Sequence, residues 1–235
     1  MRKLLLAVAC AATLGSTECA IAQDAGDGPA VPVAKAPFQL PVFQNDYVTL
    51  LNIYVPPGRN TGYHTHSIDI VTVVVEDADT TAQNIGQQPN PVAHQPRGNV
   101  VFTAFSKQAQ THKVTNVGLT PDHIVAFEFM NPQPGRFVPS SRAEVPGYAL
   151  IMDNERVRAW RLVLEPGQSV AAVSQQAPGI RVVVDGGELV ESVPGQAERG
   201  MALKLGEFYW QEAGVTRAVR NTGTTRLELV EFELR

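Results

Sequence analysis

Short runs of β-branched and aromatic residues, separated by proline, glycine and asparagine, recur along the chain from Phe38 onward. Examples are residues 70–75 (IVTVVV) and 180–184 (IRVVV), each followed by an acidic or glycine-containing turn. No amphipathic stretch with the helical period exceeds about ten residues. Breaks of this kind, supplied by 19 glycines and 17 prolines, are typical of strands joined by tight turns. The pattern predicts an all-β protein.

Two blocks of the chain occur twice. Residues 45–58 match residues 154–167 without a gap, from an Asn-acidic-x-Val start to a Pro-Gly end. Further on, residues 111–118 match residues 216–223 at a slightly smaller offset. The falling offset indicates a second copy with shorter loops and the same topology. Each copy is therefore expected to form its own small antiparallel sandwich or barrel.

The repeat divides the chain into two predicted domains, residues 37–130 and residues 148–235. Between them, residues 131–147 are rich in proline and suit a linker. Ahead of the first domain, residues 23–36 are mostly small, rich in proline and glycine, and without periodicity. That composition predicts a flexible leader.

Residues 1–22 are typical of an export signal. Arg2 and Lys3 give the positive start, a short apolar run follows, and residues 20–22 (Ala-Ile-Ala) suit cleavage after about Ala22. A lipoprotein signal ending at Cys10 is the alternative, although the residues before this cysteine fit it poorly. We therefore expect a mature protein that is periplasmic or secreted.

Composition narrows the classes of function. Both cysteines, Cys10 and Cys19, lie inside the predicted signal, so the mature protein is expected to have no disulfide, thiolate metal site or cysteine nucleophile. The formal net charge of −4 argues against nucleic acid or an anionic membrane as a partner. No stretch after the signal is long and apolar enough to span a bilayer. A small molecule is the expected partner.

Candidate chemistry is concentrated in the first copy, because all five histidines lie between His64 and His123. His64 and His66 are two positions apart on a predicted strand, so both side chains would point to one face and could share an ion. His112, from a distant strand, would complete a three-histidine site. Imidazole is a common protein ligand for transition metals.

The order of these features resembles the cupin superfamily. Residues 57–66, with their Pro-Gly pair and His-x-His, are similar to the first cupin motif, and residues 111–116, with His-x-x-x-Asn, are similar to the second. The similarity covers nearly all of the expected mature chain as two copies, the tandem arrangement called a bicupin. The resemblance implies two jelly-roll barrels, each of six to eight strands, with a metal in the mouth.

By this resemblance, His64, His66 and His112 correspond to the three histidine ligands of cupins. The family's fourth ligand is a glutamate four or five residues after the second histidine, where this chain has residues 70–71 (Ile-Val). Asp69 comes one residue earlier. Its carboxylate is open to three interpretations: a fourth metal ligand, a second-shell or rim group that contacts a ligand's ring N–H, and a simple turn residue.

Alternation along the next strand predicts its two faces. Val71, Val73 and Val75 are expected to point into the barrel, together with Asp69, whereas Thr72 is expected to point outward.

Several aromatic residues near the motifs are expected to point inward and to line the cavity: Tyr54, Tyr63, Phe102, Phe127 and Phe129. Core packing is the stronger interpretation for the phenylalanines. The two tyrosines carry a hydroxyl group that could orient a substrate.

The other ionisable residues of this copy are expected to be structural. His94 lies in a proline-rich insertion and His123 at a predicted hairpin, so neither is expected to bind the metal. Glu128 is matched by Glu231 in the second copy, which indicates a structural role.

The second copy has lost the histidines. At the aligned positions it carries Val173, Gln175 and Arg217, a set that cannot hold a divalent metal. The second domain is therefore predicted to be a degenerate cupin and a structural partner. An anionic ligand held by Arg217 and Gln175 is the alternative.

Three imidazoles disfavour Mg²⁺ and Ca²⁺, while Fe²⁺, Mn²⁺, Ni²⁺, Cu²⁺ and Zn²⁺ all remain open. Cupins that lack the glutamate include dioxygenases. The resemblance therefore implies a metal-dependent enzyme of the oxidoreductase type acting on a small organic molecule, with isomerase or lyase chemistry next. The alternative is a non-catalytic periplasmic protein that binds a small molecule or the metal. A monomer with an internal pseudo-dimer and a homodimer both fit the sequence.

Overall fold

The computed structural model describes residues 28–132, 137–138 and 140–235. The predicted signal peptide and the first part of the predicted leader lie outside these residues. Apart from two short 3-10 helices, Val33–Lys35 and Ser141–Glu144, the described elements are strands. The prediction of an all-β protein is confirmed.

The strands of the first half are β1 Val31–Pro32, β2 Gln39–Gln44, β3 Val48–Val55, β4 His64–His66, β5 Ile70–Val74, β6 Ala78–Asn84, β7 Ala93–Gln95, β8 Val100–Thr103, β9 Gln110–Asn116 and β10 Asp122–Phe129. Those of the second half are β11 Tyr148–Asp153, β12 Val157–Leu164, β13 Ser169–Ser174, β14 Gly179–Asp185, β15 Gly187–Ser192, β16 Arg199–Leu203, β17 Phe208–Gln211, β18 Thr216–Asn221 and β19 Leu227–Leu234.

Each half of the chain folds into two sheets that close around an interior. In the first half the strand orders are β1-β4-β9-β6-β7 and β2-β3-β10-β5-β8. In the second half they are β13-β18-β15-β16 and β11-β12-β19-β14-β17. The central strand of the second sheet in each half, β10 or β19, is antiparallel to both of its neighbours. The two halves are thus two tandem jelly-roll barrels with equivalent topology.

The prediction of a flexible leader over residues 23–36 is wrong for its last six residues. Strand β1 pairs in parallel with β4, with Val31 opposite His64. Val33 and Ala36 are buried, and Val33 belongs to the interior core of the first barrel. The composition did not indicate this ordered segment, because apolar contacts and a pairing of only two residues hold it in place and leave no periodic pattern in the sequence.

The two barrels share one hydrophobic core. A single cluster of buried residues joins Val71, Val73 and Phe127 of the first barrel to Val182 and Phe232 of the second. The rings of Phe127 and Phe232 meet edge to face with their centroids 5.0 Å apart. Apolar contact of this extent makes the barrels a face-to-face pseudo-dimer within one chain.

The predicted faces of strand β5 are reversed in the structure. Val71 and Val73 point out of the first barrel and into the core shared with the second, whereas Thr72 points inward and lines the first barrel's cavity. The sheet is covered on both faces, so the polarity of its residues does not distinguish the face toward the barrel interior from the face toward the other barrel. The more apolar face is the one that contacts the other barrel.

No helix in the part of the chain that the structure describes is long and apolar enough to cross a membrane.

Candidate metal centre

Two neighbouring strands bring the three predicted histidines together. His64 and His66 lie two positions apart on β4, so their side chains share a face, and His112 on β9 is the register partner of His64. The ring centroids are 4.7 to 5.1 Å apart. One ligand atom from each ring lies within 4.8 Å of the others. This is a separation at which three imidazoles can bind one ion.

Burial keeps the three imidazoles neutral. It lowers the pKa of His64, lowers that of His66 to about 3, and lowers that of His112 to about 4. For His66 and His112, repulsion from neighbouring imidazolium charge adds to the shift. A neutral imidazole keeps the lone pair that a metal needs, so all three side chains are ready to bind a cation at neutral pH.

The hydrogen bonds of the site fix which nitrogen faces the centre. His64 Nδ1 lies 3.1 Å from the carbonyl oxygen of Gly62 and donates to it, which leaves the Nε2 lone pair facing inward. Gly62 adopts a positive φ of 62°, a conformation that glycine reaches without strain. His66 Nδ1 is buried and has no hydrogen-bond partner. A buried, unpartnered imidazole nitrogen beside two others fits a transition-metal ligand set.

Asp69 lies outside the histidine group. Its Oδ1 accepts a hydrogen bond of 2.9 Å from the backbone N–H of Ser106, and its Oδ2 lies 3.8 Å from Nε of Arg156 in the second barrel. The residue before Ser106, Phe105, stacks on His66 with the centroids 4.6 Å apart. Asp69 therefore holds the loop that supports His66, and its carboxylate faces the other barrel as Val71 does.

A cavity of about 230 Å³ opens beside the histidines and runs along the barrel interior. Its wall combines aliphatic and threonine side chains with a few other polar groups. Besides the histidines, the lining residues include Gln39, Thr72, Phe105, Asp122 and Ile124.

The predicted aromatic lining is wrong. Tyr54 is exposed and packs edge to face on His123, while Tyr63 is half-buried beneath the ammonium group of Lys113. Neither tyrosine lines the cavity. Tyr54 alternates with Ile53, which does line it, so the prediction failed because it assigned the wrong parity to β3.

The three phenylalanines point away from the cavity as well. Phe127 and Phe129 belong to the core between the barrels, and Phe102 packs against that core. The phenylalanines therefore serve core packing, as expected. The core to which they belong lies between the two barrels and not inside the first barrel.

Asp122 is a polar cavity residue that the sequence reasoning missed. It is 2% exposed, burial raises its pKa to about 6, and its Oδ1 has no hydrogen-bond partner. The usable signal was its inward parity with Ile124 at the start of β10. The hairpin predicted at His123 does not by itself indicate an inward-facing carboxylate beside it.

Asp122 lies at the far end of the cavity from the histidines. Its register partner is Val55, whose carbonyl oxygen accepts a hydrogen bond from Asn116 on β9. Asn116 is four residues beyond His112 on that strand, which corresponds to about 13 Å. The cavity thus has a nitrogen-rich end and a carboxyl end, joined by a mainly apolar wall.

The remaining histidines lie elsewhere. His94 is exposed and lies 2.9 Å from Asp79. His123 bonds to Asn52 and faces Glu76 at 3.5 Å, with 13% of its side chain exposed. Neither belongs to the three-histidine group of the described residues.

The second barrel carries arginines, among them the buried Arg142 and Arg181, in its interior in place of the histidine set. Val173 and Arg217 form the cross-strand pair that corresponds to His64 and His112. Gln175, at the position of His66, accepts a hydrogen bond from the guanidinium of Arg142. Glu231 and Glu233 also bind that guanidinium, and Glu231 pairs with the buried Arg181 as well, so the buried charges of both signs are paired.

Known proteins share this fold at low sequence identity. No family model and no curated protein matches the sequence. AerE from Microcystis aeruginosa is 12% identical with a TM-score of 0.55, over 85% of this chain and 98% of that one. A cupin 2 conserved barrel domain protein from Leptotrichia buccalis is 10% identical with a TM-score of 0.52, over 84% and 88% of the two chains.

A salicylate 1,2-dioxygenase from Pseudoaminobacter salicylatoxidans, in a structure with gentisate adducts, is 16% identical with a TM-score of 0.54. The match covers 80% of this chain and 68% of that one. Identities this low carry the fold and not the activity. These likenesses show the fold alone, which is the jelly-roll barrel of cupin proteins, and each half of this chain forms one such barrel.

Proposed function

We propose that this protein is an exported bicupin that binds one transition metal through His64, His66 and His112 and acts as a metal-dependent enzyme on a small organic molecule. The convergence of three neutral imidazoles, two buried and one half-buried, beside a cavity carries the proposal. A dioxygenase among the proteins with this fold supports oxidative chemistry as the first choice. Isomerase or lyase chemistry is the second choice for the same site.

The chain's own residues would perform distinct tasks in this site. The three histidines would hold the metal, which supplies open coordination positions for substrate oxygens and O₂ when bound. The imidazole set is compatible with Fe²⁺, Mn²⁺, Ni²⁺, Cu²⁺ and Zn²⁺. Phe105 stacks on His66 and keeps its ring in place. The aliphatic wall excludes water from the reacting groups.

Asp122 would bind the far end of the substrate. With a pKa raised to about 6, this carboxyl can accept or donate a hydrogen bond near neutral pH. A ligand that fills the cavity would carry a metal-binding oxygen group at one end and a polar group at the other, about 10 Å away, within the length that strand spacing allows.

The second barrel would be a structural partner that has lost its metal site. It buries the outer face of the first barrel's sheet through the shared core, and Arg156 reaches the carboxylate that holds the His66 loop. The same proposal includes two domains, residues 37–130 and 148–235, joined by a linker over residues 131–147. It also includes export to the periplasm or medium and a monomeric or homodimeric state.

Metal analysis of the purified mature protein tests the proposal. We expect one transition-metal ion per chain in the wild type and loss of nearly all of it in His64→Ala and in His112→Ala, because each variant removes one ligand. His94→Ala is the matched control, since this histidine is exposed and outside the group. Unchanged metal content in both ligand variants, with circular dichroism showing folded protein, would overturn the proposal.

A non-catalytic binding protein is the second candidate. The observation that favours it is the position of Asp122, because this titratable cavity residue lies at the opposite end from the histidines. Tight ligand binding in the metal-loaded protein, without O₂ consumption or product formation over a broad compound panel, would select this candidate.

A further inference from the structure

Gln39 contacts the histidine group although neither cupin motif contains it. It is the first residue of β2, pairs with Ile53 of β3, and is 5% exposed. Its side chain lines the cavity, and its amide Nε2 lies 3.0 Å from Nε2 of His64. The inward-facing ring nitrogen of His64 therefore already has a close polar neighbour from a strand outside both motifs.

The two ends of this amide are in unequal environments. Because His64 Nδ1 donates to Gly62, His64 Nε2 is an acceptor, and the Gln39 amide NH₂ group donates to it. The amide oxygen, Oε1, is buried and has no hydrogen-bond partner. A buried carbonyl oxygen without a partner is costly, so a donor or a cation beside it would be stabilising.

A cation bound to His64 Nε2 would favour the opposite orientation of the Gln39 amide. It would occupy the lone pair that now accepts the amide hydrogen, repel the NH₂ group, and attract the carbonyl oxygen. Half a turn about the terminal torsion exchanges nitrogen and oxygen without moving the backbone, and such torsions are soft and roughly two-fold. The same side chain can thus donate a hydrogen bond to a neutral His64 and offer its oxygen to a cation bound there.

The second barrel contains an internal parallel. Tyr148 is the first residue of β11 and pairs with Leu162, which matches Ile53 in the repeat, so Tyr148 occupies the position of Gln39. The centre of its ring lies 5.5 Å from the guanidinium carbon of Arg142, one of the buried cations of that barrel. In both barrels this position contacts a polar side chain of the interior.

We propose that Gln39 Oε1 is the fourth protein ligand of the metal, supplied from β2 in place of the carboxylate that residues 70–71 do not provide. The inference rests on the proposed metal site. It gives the metal three nitrogens and one neutral oxygen, and it leaves the remaining coordination positions to substrate. A neutral amide also leaves the metal centre one unit more positive than a glutamate would, which favours an anionic substrate group.

Metal titration of three variants tests the assignment. Co²⁺ is the probe, followed by chelator competition for the dissociation constant and by visible absorption for the ligand set. We expect Gln39→Ala to weaken binding about tenfold and to change the absorption bands. Gln39→Glu should tighten binding, because a carboxylate oxygen replaces the amide oxygen. Gln44→Ala is the matched control on the same strand, where the side chain is exposed.

The outcomes separate this inference from the proposed function. If wild type binds Co²⁺ and His64→Ala does not, the proposed metal site is supported. The Gln39 variants then test the role of Gln39 separately. Equal or tighter binding by Gln39→Ala with an unchanged spectrum would overturn the assignment, since the amide would then only compete for His64. If Gln39→Ala does not fold, Gln39→Glu decides the question, and unaltered affinity and spectrum in that variant would overturn it. Failure of the wild type to bind at all would sink the proposed function itself.

Discussion

His66 shows at the scale of a single residue how the site is prepared for a cation. Its ring is buried, its Nδ1 has no hydrogen-bond partner, and its pKa is lowered to about 3, so one of its two ring nitrogens has a free lone pair at neutral pH. The group of three histidines was predictable, because two of them lie two positions apart on a predicted strand and the second copy of the repeat lacks all three. Gln39 was not predictable, since only strand pairing brings it to a histidine 25 residues away.

At the same scale, Asp122→Asn should stabilise the protein in a pH-dependent way. Burial raises the pKa of Asp122 from 3.8 to about 6, so the folded state holds its proton more tightly than the unfolded state. Ionising this carboxyl therefore costs stability, growing from pH 3.8 upward and reaching about 3 kcal/mol above pH 6. The amide does not ionise and avoids this cost.

Urea unfolding of wild type and Asp122→Asn from pH 4 to pH 8 measures this effect. The advantage of the variant should grow as the pH rises to 6 and stay level above it. Asp46→Asn, at an exposed turn position, is the control and should show no such trend. A difference between wild type and Asp122→Asn that does not vary with pH would contradict the prediction.

Among the elements, strand β5 shows which parts of the fold the sequence could predict. Its run of valines correctly predicted a buried strand, but alternation gave the wrong inward face because both faces are covered. Only the partner barrel explains why Val71 and Val73 face outward. The same placement puts Asp69 beside Arg156, where it holds the loop behind His66.

Asp69→Ala should weaken metal binding without abolishing it. The variant loses the hydrogen bond to Ser106 and the contact with Arg156, which frees the loop that carries Phe105. Loss of a group that orients a ligand from behind typically costs about 10-fold to 100-fold in metal affinity. Co²⁺ titration measures it, with Asp77→Ala as a control in the same barrel. Complete loss of binding in a folded variant would show Asp69 to be a ligand.

The whole molecule is held together by the core between its barrels. Phe127 and Phe232 meet there from opposite halves, and buried residues of both halves form one cluster. The repeat in the sequence predicted two barrels of one topology, but it could not tell how they pack. A strand face that contacts another barrel carries the same types of apolar residue as a face that lines a barrel interior, so the sequence does not tell the two apart.

We expect Phe127→Ala to lower the free energy of unfolding by about 3 to 5 kcal/mol, the usual cost of truncating a buried phenylalanine. Because the core is shared, both barrels should respond, with one calorimetric transition shifted as a unit. Leu119→Ala, at a residue that is 96% exposed, should change stability by less than about 0.5 kcal/mol. Two separate transitions in the wild type, only one of them shifted by the variant, would show independent barrels.

Arg142 gives the second barrel a central cation that cannot dissociate, because it is covalently part of the chain. No chelator can withdraw it, and no competing ion can displace it. The first barrel, by contrast, would have to obtain the cation of the proposed metal site from its surroundings. If it does, one molecule joins a half that depends on a supply of metal to a half that does not. The second barrel would then keep the shared core assembled when metal is scarce, and the histidines would stay in position for the next ion.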